Sequence, residues 1–386
     1  MSWSRTYSGP KFHAVLCDPS YGYHFMNAKW DDPRQPTANQ VHSYLPPGQR
    51  MTTVQENIAF QQACKEWGEA MLPHLHPGAL VMMFGGPRMF AWLSTGMQMA
   101  GFEQWDTFCW LHGEGFPKAM DIGKQVAKLT GEQPIAEIPN PAYEFMRNSG
   151  QTSTGWVGQI PKTKQIYANE WQGYKTPALK PAWEAILCFR APRRGMTYAE
   201  LALKFGTGCL NIDGGRIGTE TISIHNALAG SFAGGELGRG GDTNSYQEDT
   251  GRYPANLILD EESAAMLGPD VARFFYCPKA SKRERNVGCE DLPNDHPTVK
   301  PLALTRWLAA LLLPPPSVGP RRLLVPFLGS GSEMIGAMQA GWDEIVGVEQ
   351  DAHYCEIAKR RLEYWRMASV SHDVLPLSSP GRTDAA

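Results

Sequence analysis

Arg322-Leu-Leu-Val-Pro-Phe-Leu-Gly-Ser-Gly-Ser332 is the stretch that decides the fold. Arg322 to Val325 is a short apolar run that reads as a strand, and Ser332 to Ala340 reads as the helix that follows it. Between them, Gly329 and Gly331 let the backbone approach a ligand closely and start the helix without a side-chain clash. Glu344 to Val348 reads as a second strand. Gly347-Val348-Glu349 ends it with an acid about 20 residues after the glycines, a spacing suited to the two hydroxyls of a ribose. Loop and acid together describe an adenosine-type cofactor laid across adjacent strand ends. The third glycine of a dinucleotide fingerprint is absent, so a nicotinamide is the weaker choice.

Working outward, the same strand–helix rhythm recurs. His13 to Cys17, Ala79 to Phe84, Glu103 to Leu111 and Trp183 to Phe189 read as strands. Asn57 to Leu72, Arg88 to Ala100, Leu302 to Leu313 and Ala352 to Trp365 read as helices. That alternation implies a parallel or mostly parallel α/β sheet. Two such blocks flank a Gly-rich, locally basic middle, whose segment Gly230 to Gly251 reads as a mobile loop.

The chain has 386 residues, 42% hydrophobic and 19% charged, which fits a globular protein of about two domains and excludes a disordered one. No apolar run reaches the ~18 residues of a membrane span. The eight cysteines are scattered without a CxxC pair, so neither a zinc ribbon nor a disulfide framework is expected, and the compartment reads as cytoplasmic. Net charge is −3, but it is uneven. Residues 151–212 carry eight Lys or Arg against three Glu, and 273–285 carry five against one. Such basic islands suit local phosphate contacts.

Asp18-Pro19-Ser20-Tyr21 closes the first strand. Asp18 can accept a hydrogen bond from an amino group, the Pro19 carbonyl offers a second acceptor, and Tyr21 offers a flat face. These features converge on a planar amine. Cys17, beside them, reads as a core thiol.

In this order the motifs resemble the amino-methylating DNA methyltransferases, the N6-adenine and N4-cytosine group, in the permuted arrangement that puts the catalytic motif first. Asp18-Pro19-Ser20-Tyr21 resembles the group's Asp-Pro-Pro-Tyr, and Pro326 to Ser332 its Asp-Pro-Phe-x-Gly-Ser-Gly-Thr. His296 to Pro301 resembles the segment packed on the cofactor's methionine end, and Gly347 to Tyr354 the ribose-binding strand end. Leu179 to Glu184, Asn211 to Arg216 and Phe274 to Arg285 resemble more narrowly the methylases common in phages and prophages. The resemblance runs to about residue 365.

It implies an α/β fold: a three-layer Rossmann-like methyltransferase sheet, mostly parallel with one antiparallel strand, circularly permuted, with an inserted DNA-recognition region. Residues 1–192 would form the catalytic half, with an insertion over 112–182. Residues 193–290 would be the target-recognition region, 291–366 the cofactor-binding half and 367–386 a flexible tail. The cofactor implied is S-adenosylmethionine and the partner double-stranded DNA, with the target base flipped out of the stack. Asp18, Pro19, Ser20 and Tyr21 would be catalytic. Pro326, Phe327, Gly329, Ser330, Gly331, Ser332 and Glu349 would hold the cofactor. Val325 stands where the family has Asp, which makes Thr298 and Lys300 the candidates to compensate at the methionine end.

Arg193, Arg194, Lys279, Lys282, Arg283 and Arg285 are the candidate DNA contacts. Asp at the first motif position favours adenine N6 over cytosine N4. The resemblance further suggests a restriction–modification or phage setting without a nuclease on this chain, leaves a homodimer open, and calls for no metal. An RNA or protein amine methyltransferase and an inactive DNA-binding relic are the rival readings.

Overall fold

The computed structural model describes residues 2–22, 53–113, 119–141, 143–144, 161–225, 246–273, 275, 284–296 and 298–370. A short helix, α1 (Ser2–Thr6), precedes β1 (Phe12–Cys17), which is buried along its whole length, as a strand covered on both faces must be. Next come α2 (Thr53–Met71), β2 (Leu75–Gly85), α3 (Phe90–Met99) and β3 (Glu103–Leu111). After α4 (Ile122–Thr130), β4 (Ala136–Pro139) and β5 (Thr163–Ile166), the chain forms β6 (Trp183–Arg190) and α5 (Tyr198–Phe205). It continues through β7 (Ile217–His225), β8 (Tyr246–Arg252), β9 (Leu257–Leu259) and α6 (Glu261–Leu267). The last elements are α7 (Leu302–Leu312), β10 (Arg322–Pro326), α8 (Ser332–Ala340), β11 (Glu344–Val348) and α9 (Ala352–Val370).

Seven strands form one sheet in the order β11-β10-β1-β2-β6-β3-β9. β6 runs antiparallel to both β2 and β3, and the other pairs are parallel. The expected mostly parallel sheet with one antiparallel strand is therefore present. Alternate side chains point to opposite faces, so the sheet has two cores. On one face Leu16, Met82, Ile186 and Leu323 pack with Trp307 and Leu308 of α7. On the other Val15, Val81, Leu187 and Leu324 pack with Phe60 of α2 and Met97 of α3. Helix, sheet and helix make the three layers.

The chain order reverses between β1 and β10. From β1 it proceeds outward through β2, and from β10 outward the other way through β11. In open α/β sheets, ligands bind outside the carboxyl ends of the strands at such a switch point. Asp18 leaves the carboxyl end of β1 there, the glycine loop leaves β10, and Glu349 leaves β11. Because β6 is antiparallel, its start lies at that same edge, with Ala185 opposite Gly85 at the end of β2.

Contacts divide the chain into two units, residues 1–113 with 183–386, and residues 114–182. In the second, α4 is capped by Asp121, which accepts from the Lys124 N–H, and β4 pairs antiparallel with β5. The expected recognition region, 193–290, is grouped with the sheet and supplies its edge strand β9, parallel to β3. Residues 246–251 of the expected mobile segment lie in β8, paired antiparallel with β7. Residues 367–370 of the expected tail continue α9. Residues 226–245 and 371–386 lie outside the described residues. No described helix is long and apolar enough to cross a membrane.

Candidate functional site

Asp18 lies at the carboxyl edge with its side chain nearly buried. Its Oδ1 accepts from the Tyr21 hydroxyl at 2.9 Å and its Oδ2 accepts from Lys300 Nζ at 2.6 Å. Tyr21 Oη is also 2.8 Å from Glu184 Oε2, just inside the start of β6. Lys300 Nζ lies 3.3 Å from Tyr21 Oη and 3.4 Å from Glu184 Oε2. One ammonium thus faces two carboxylates and a phenol. It also sits 4.8 Å from the Phe84 ring centroid, a cation–π contact that replaces lost hydration.

The charges of the quartet are interdependent. Burial raises the Asp18 carboxyl above its usual value, Lys300 opposes the rise, and Glu184 adds to it. Burial alone would lower the Lys300 ammonium, but Asp18 and Glu184 hold it above the usual lysine range. Burial and both carboxylates push the Tyr21 phenol well up. Tyr21 therefore keeps its proton, which can serve only one carboxylate at a time. Asp18 Oδ1 retains a lone pair for a further donor, so an incoming amine can bind without displacing Lys300.

The glycine loop lies beside this quartet. Gly329 and Gly331 adopt φ of 50° and 87°, a region that side chains disfavour. A Cβ on Gly329 would lie 2.7 Å from His296 Nε2, so the backbone there is closely covered. Phe327 also has a positive φ, 58°, and its ring packs 4.8 Å from Trp67. Pro326 is buried and ends β10 opposite Val348. Glu349 Oε2 accepts from Gly329 N at 2.8 Å, while Oε1 accepts from Gln350 N and Asp351 N at 2.8 and 3.0 Å. The acid and the loop are thus tied together. Arg361, fully buried on α9, braces the loop through Ser330 O (2.5 Å), Ser330 Oγ (3.0 Å) and Ser332 Oγ (3.3 Å).

Lys300, expected at the methionine end, is engaged by Asp18, because a buried ammonium takes the nearest carboxylate. Thr298 is exposed, with its backbone N–H donating to His296 Nδ1 at 3.4 Å. Arg285 donates to the backbone carbonyls of Asn294 (3.1 Å) and His296 (2.7 Å), so it braces the chain ahead of α7. Arg193 and Arg194 follow the far end of β6, roughly 20 Å from Glu184 at ~3.4 Å per residue. There Arg193 faces Glu103 at 4.0 Å and lies over the Tyr198 ring. Lys279, Lys282 and Arg283 lie outside the described residues. Sequence reasoning misses Glu184 and Arg361 as site residues. Glu184 ends the motif that begins at Leu179, whereas Arg361 carries no signal beyond helical spacing. Among the described residues no group of His, Cys, Asp or Glu is placed to hold a metal ion.

No protein-family model matches the chain. No curated protein matches it in sequence. Among solved structures, it is similar to the M1.HpyAVI–SAM complex at 12% identity, covering 92% of this chain and 89% of that one, with a TM-score of 0.36. It is similar to the PvuII DNA methyltransferase, cytosine-N4-specific, at 11% identity, 93% and 82% coverage and a TM-score of 0.44. It is also similar to TTHA0409 of Thermus thermophilus, a candidate DNA modification methylase complexed with S-adenosyl-L-methionine. That pair has 14% identity, 94% and 92% coverage and a TM-score of 0.38.

Proposed function

We propose that this protein transfers the methyl group of S-adenosylmethionine to the exocyclic amine of a base flipped out of double-stranded DNA, adenine N6 in preference to cytosine N4. One observation carries the reading. An amine-accepting carboxylate, Asp18, and a glycine cradle closed by an acid, Gly329–Ser332 with Glu349, leave adjacent parallel strands at the switch point of the sheet. The residues fit the cofactor. The cradle has no room for a side chain at Gly329, and Glu349 supplies the acceptor that ribose hydroxyls need.

When bound, S-adenosylmethionine supplies an electrophilic methyl group. The rest is the work of this chain. Asp18 Oδ1 accepts one amine N–H and the Pro19 carbonyl accepts the other, which draws the nitrogen lone pair out of conjugation with the ring and aims it at the methyl group. Lys300 opposes the rise that burial imposes on Asp18 and so favours the carboxylate that takes the charge growing on the amine. As the nitrogen gains its methyl group it loses one proton, which passes to Asp18 Oδ1. The Tyr21 hydroxyl connects that oxygen to Glu184 Oε2 and offers the proton a path outward. No enzyme nucleophile is required. Cys17 is fully buried and burial raises its thiol well above the usual value, which does not suit the thiolate that carbon-5 cytosine methylation needs.

The preference for adenine rests on Asp rather than Ser at position 18. Cytosine N4 is the alternative, since one carboxylate can serve either amine. Sequence recognition falls to residues 193–290, with Lys279, Lys282 and Arg283 as its phosphate contacts. The order of motifs, 18–21 before 326–332, is that of the permuted class. Expression in a host free of DNA methylation, followed by sequencing for modified bases, tests the reading. It should find N6-methyladenine within one short recurrent sequence.

A further inference from the structure

Glu333 occupies the first turn of α8, directly after the glycine loop, and is 3% exposed. Its Oε1 is buried without a hydrogen-bond partner, a costly arrangement for a carboxyl group. The groups that act on it electrostatically come from three directions: Asp18 at the end of β1, Lys300 ahead of α7, and Arg361 on α9. Cys17 on β1 feels its charge in turn. Neither cation bonds to it. The Lys300 ammonium is taken up by Asp18, Tyr21 and Glu184, and the two Nη groups of Arg361 by Ser330, Ser332 and the Glu284 carbonyl, while Arg361 Nε is buried without a partner. Burial and Asp18 push the Glu333 carboxyl up to about 7, against Lys300 and Arg361. The carboxyl is therefore only partly ionised at neutral pH. Val325, on the strand before the loop, is fully buried and brings no charge.

We propose that Glu333 is the anionic seat for the cationic methionyl end of the methyl donor. The inference rests on the reading of S-adenosylmethionine as cofactor, and assigns to Glu333 the task for which Thr298 and Lys300 were the expected residues. The donor carries a sulfonium and an α-ammonium; the ammonium would give the orphaned oxygen a hydrogen-bond donor, and either positive charge would favour the ionised form of the carboxyl.

Calorimetry of the full chain without DNA tests this. The ligands are S-adenosylmethionine and 5′-methylthioadenosine, which keeps the adenosine but lacks both cations. In Glu333→Gln, affinity for S-adenosylmethionine near pH 8 should fall by about tenfold or more, with 5′-methylthioadenosine changed by less than about twofold. The gap between wild type and variant should widen from about pH 6 to about pH 8, as the wild-type carboxyl ionises. Equal affinity of both proteins for S-adenosylmethionine would overturn the proposal. So would loss of both ligands by the variant, which would make Glu333 a packing residue. If wild type binds neither ligand, the cofactor reading itself fails as well.

Discussion

Lys300 Nζ lies 2.6 Å from Asp18 Oδ2, across 282 residues of chain, with both side chains nearly out of solvent. The carboxylate at the end of β1 is thus paired with a residue carried by the segment ahead of α7, which opposes the rise that burial imposes on it. Asp18 and the half of the chain that bears the glycine loop are one electrostatic unit.

Replacing Lys300 by Met keeps length and removes charge. It leaves a nearly buried Asp18 and a half-buried Glu184 without their cation, which should cost about 3 kcal/mol in urea unfolding. The acid limb of the pH–rate profile should also move to higher pH, because Asp18 is already raised by burial and would lose the group that opposes the rise. An unchanged profile in a folded variant would place the working carboxylate elsewhere.

Asp18→Asn should abolish methyl transfer and leave S-adenosylmethionine binding within a few-fold. In the proposed reading Asp18 faces the amine, whereas the glycine loop leaves a different strand. Loss of binding in a folded Asp18→Asn protein would contradict that division.

Gly329→Ala meets both a φ of 50° and a Cβ position 2.7 Å from His296 Nε2. Stability should fall by about 1–2 kcal/mol, and donor affinity should fall with it. Denaturant titration and calorimetry would check both. A neutral outcome would mean that the loop relaxes freely and is no cradle.

Where apolar runs are bounded by glycine or charge, the sequence is a close guide. The limits of β3, α8 and β11 coincide with those read from the residues. β9, at three residues, is too short to show a period. Apolar periodicity misses α5 although Thr197 and Glu200 form a capping box at its start, and α4 although Asp121 and Gly131 cap its ends. At the site, motifs at strand ends are legible because parallel topology brings such ends to one edge. The partners of Lys300 are not, since pairing across hundreds of residues leaves no local pattern. Charge counting does not separate Arg285, satisfied by two carbonyls, from a guanidinium open to phosphate.

Glu333 also sets a pH dependence of stability. Its carboxyl is raised from 4.5 in the unfolded chain to about 7 in the fold, so between these values the native state holds more protons. This contribution makes stability fall as pH rises through that window, and the loss is complete above it. Glu333→Gln removes it. The variant should therefore gain on wild type as pH rises, by about 3 kcal/mol near pH 8, with no gain near pH 4. Unfolding midpoints at several pH values would show this. A constant difference would mean that Glu333 does not titrate in the window.

The most direct measurement is transfer of labelled methyl from S-adenosylmethionine to duplex DNA, followed by digestion and identification of the labelled nucleoside, with wild type and Asp18→Asn side by side. The expected result is label in N6-methyldeoxyadenosine with wild type and none with the variant. Label in 5-methylcytosine, or equal label with Asp18→Asn, would contradict the role given to Asp18.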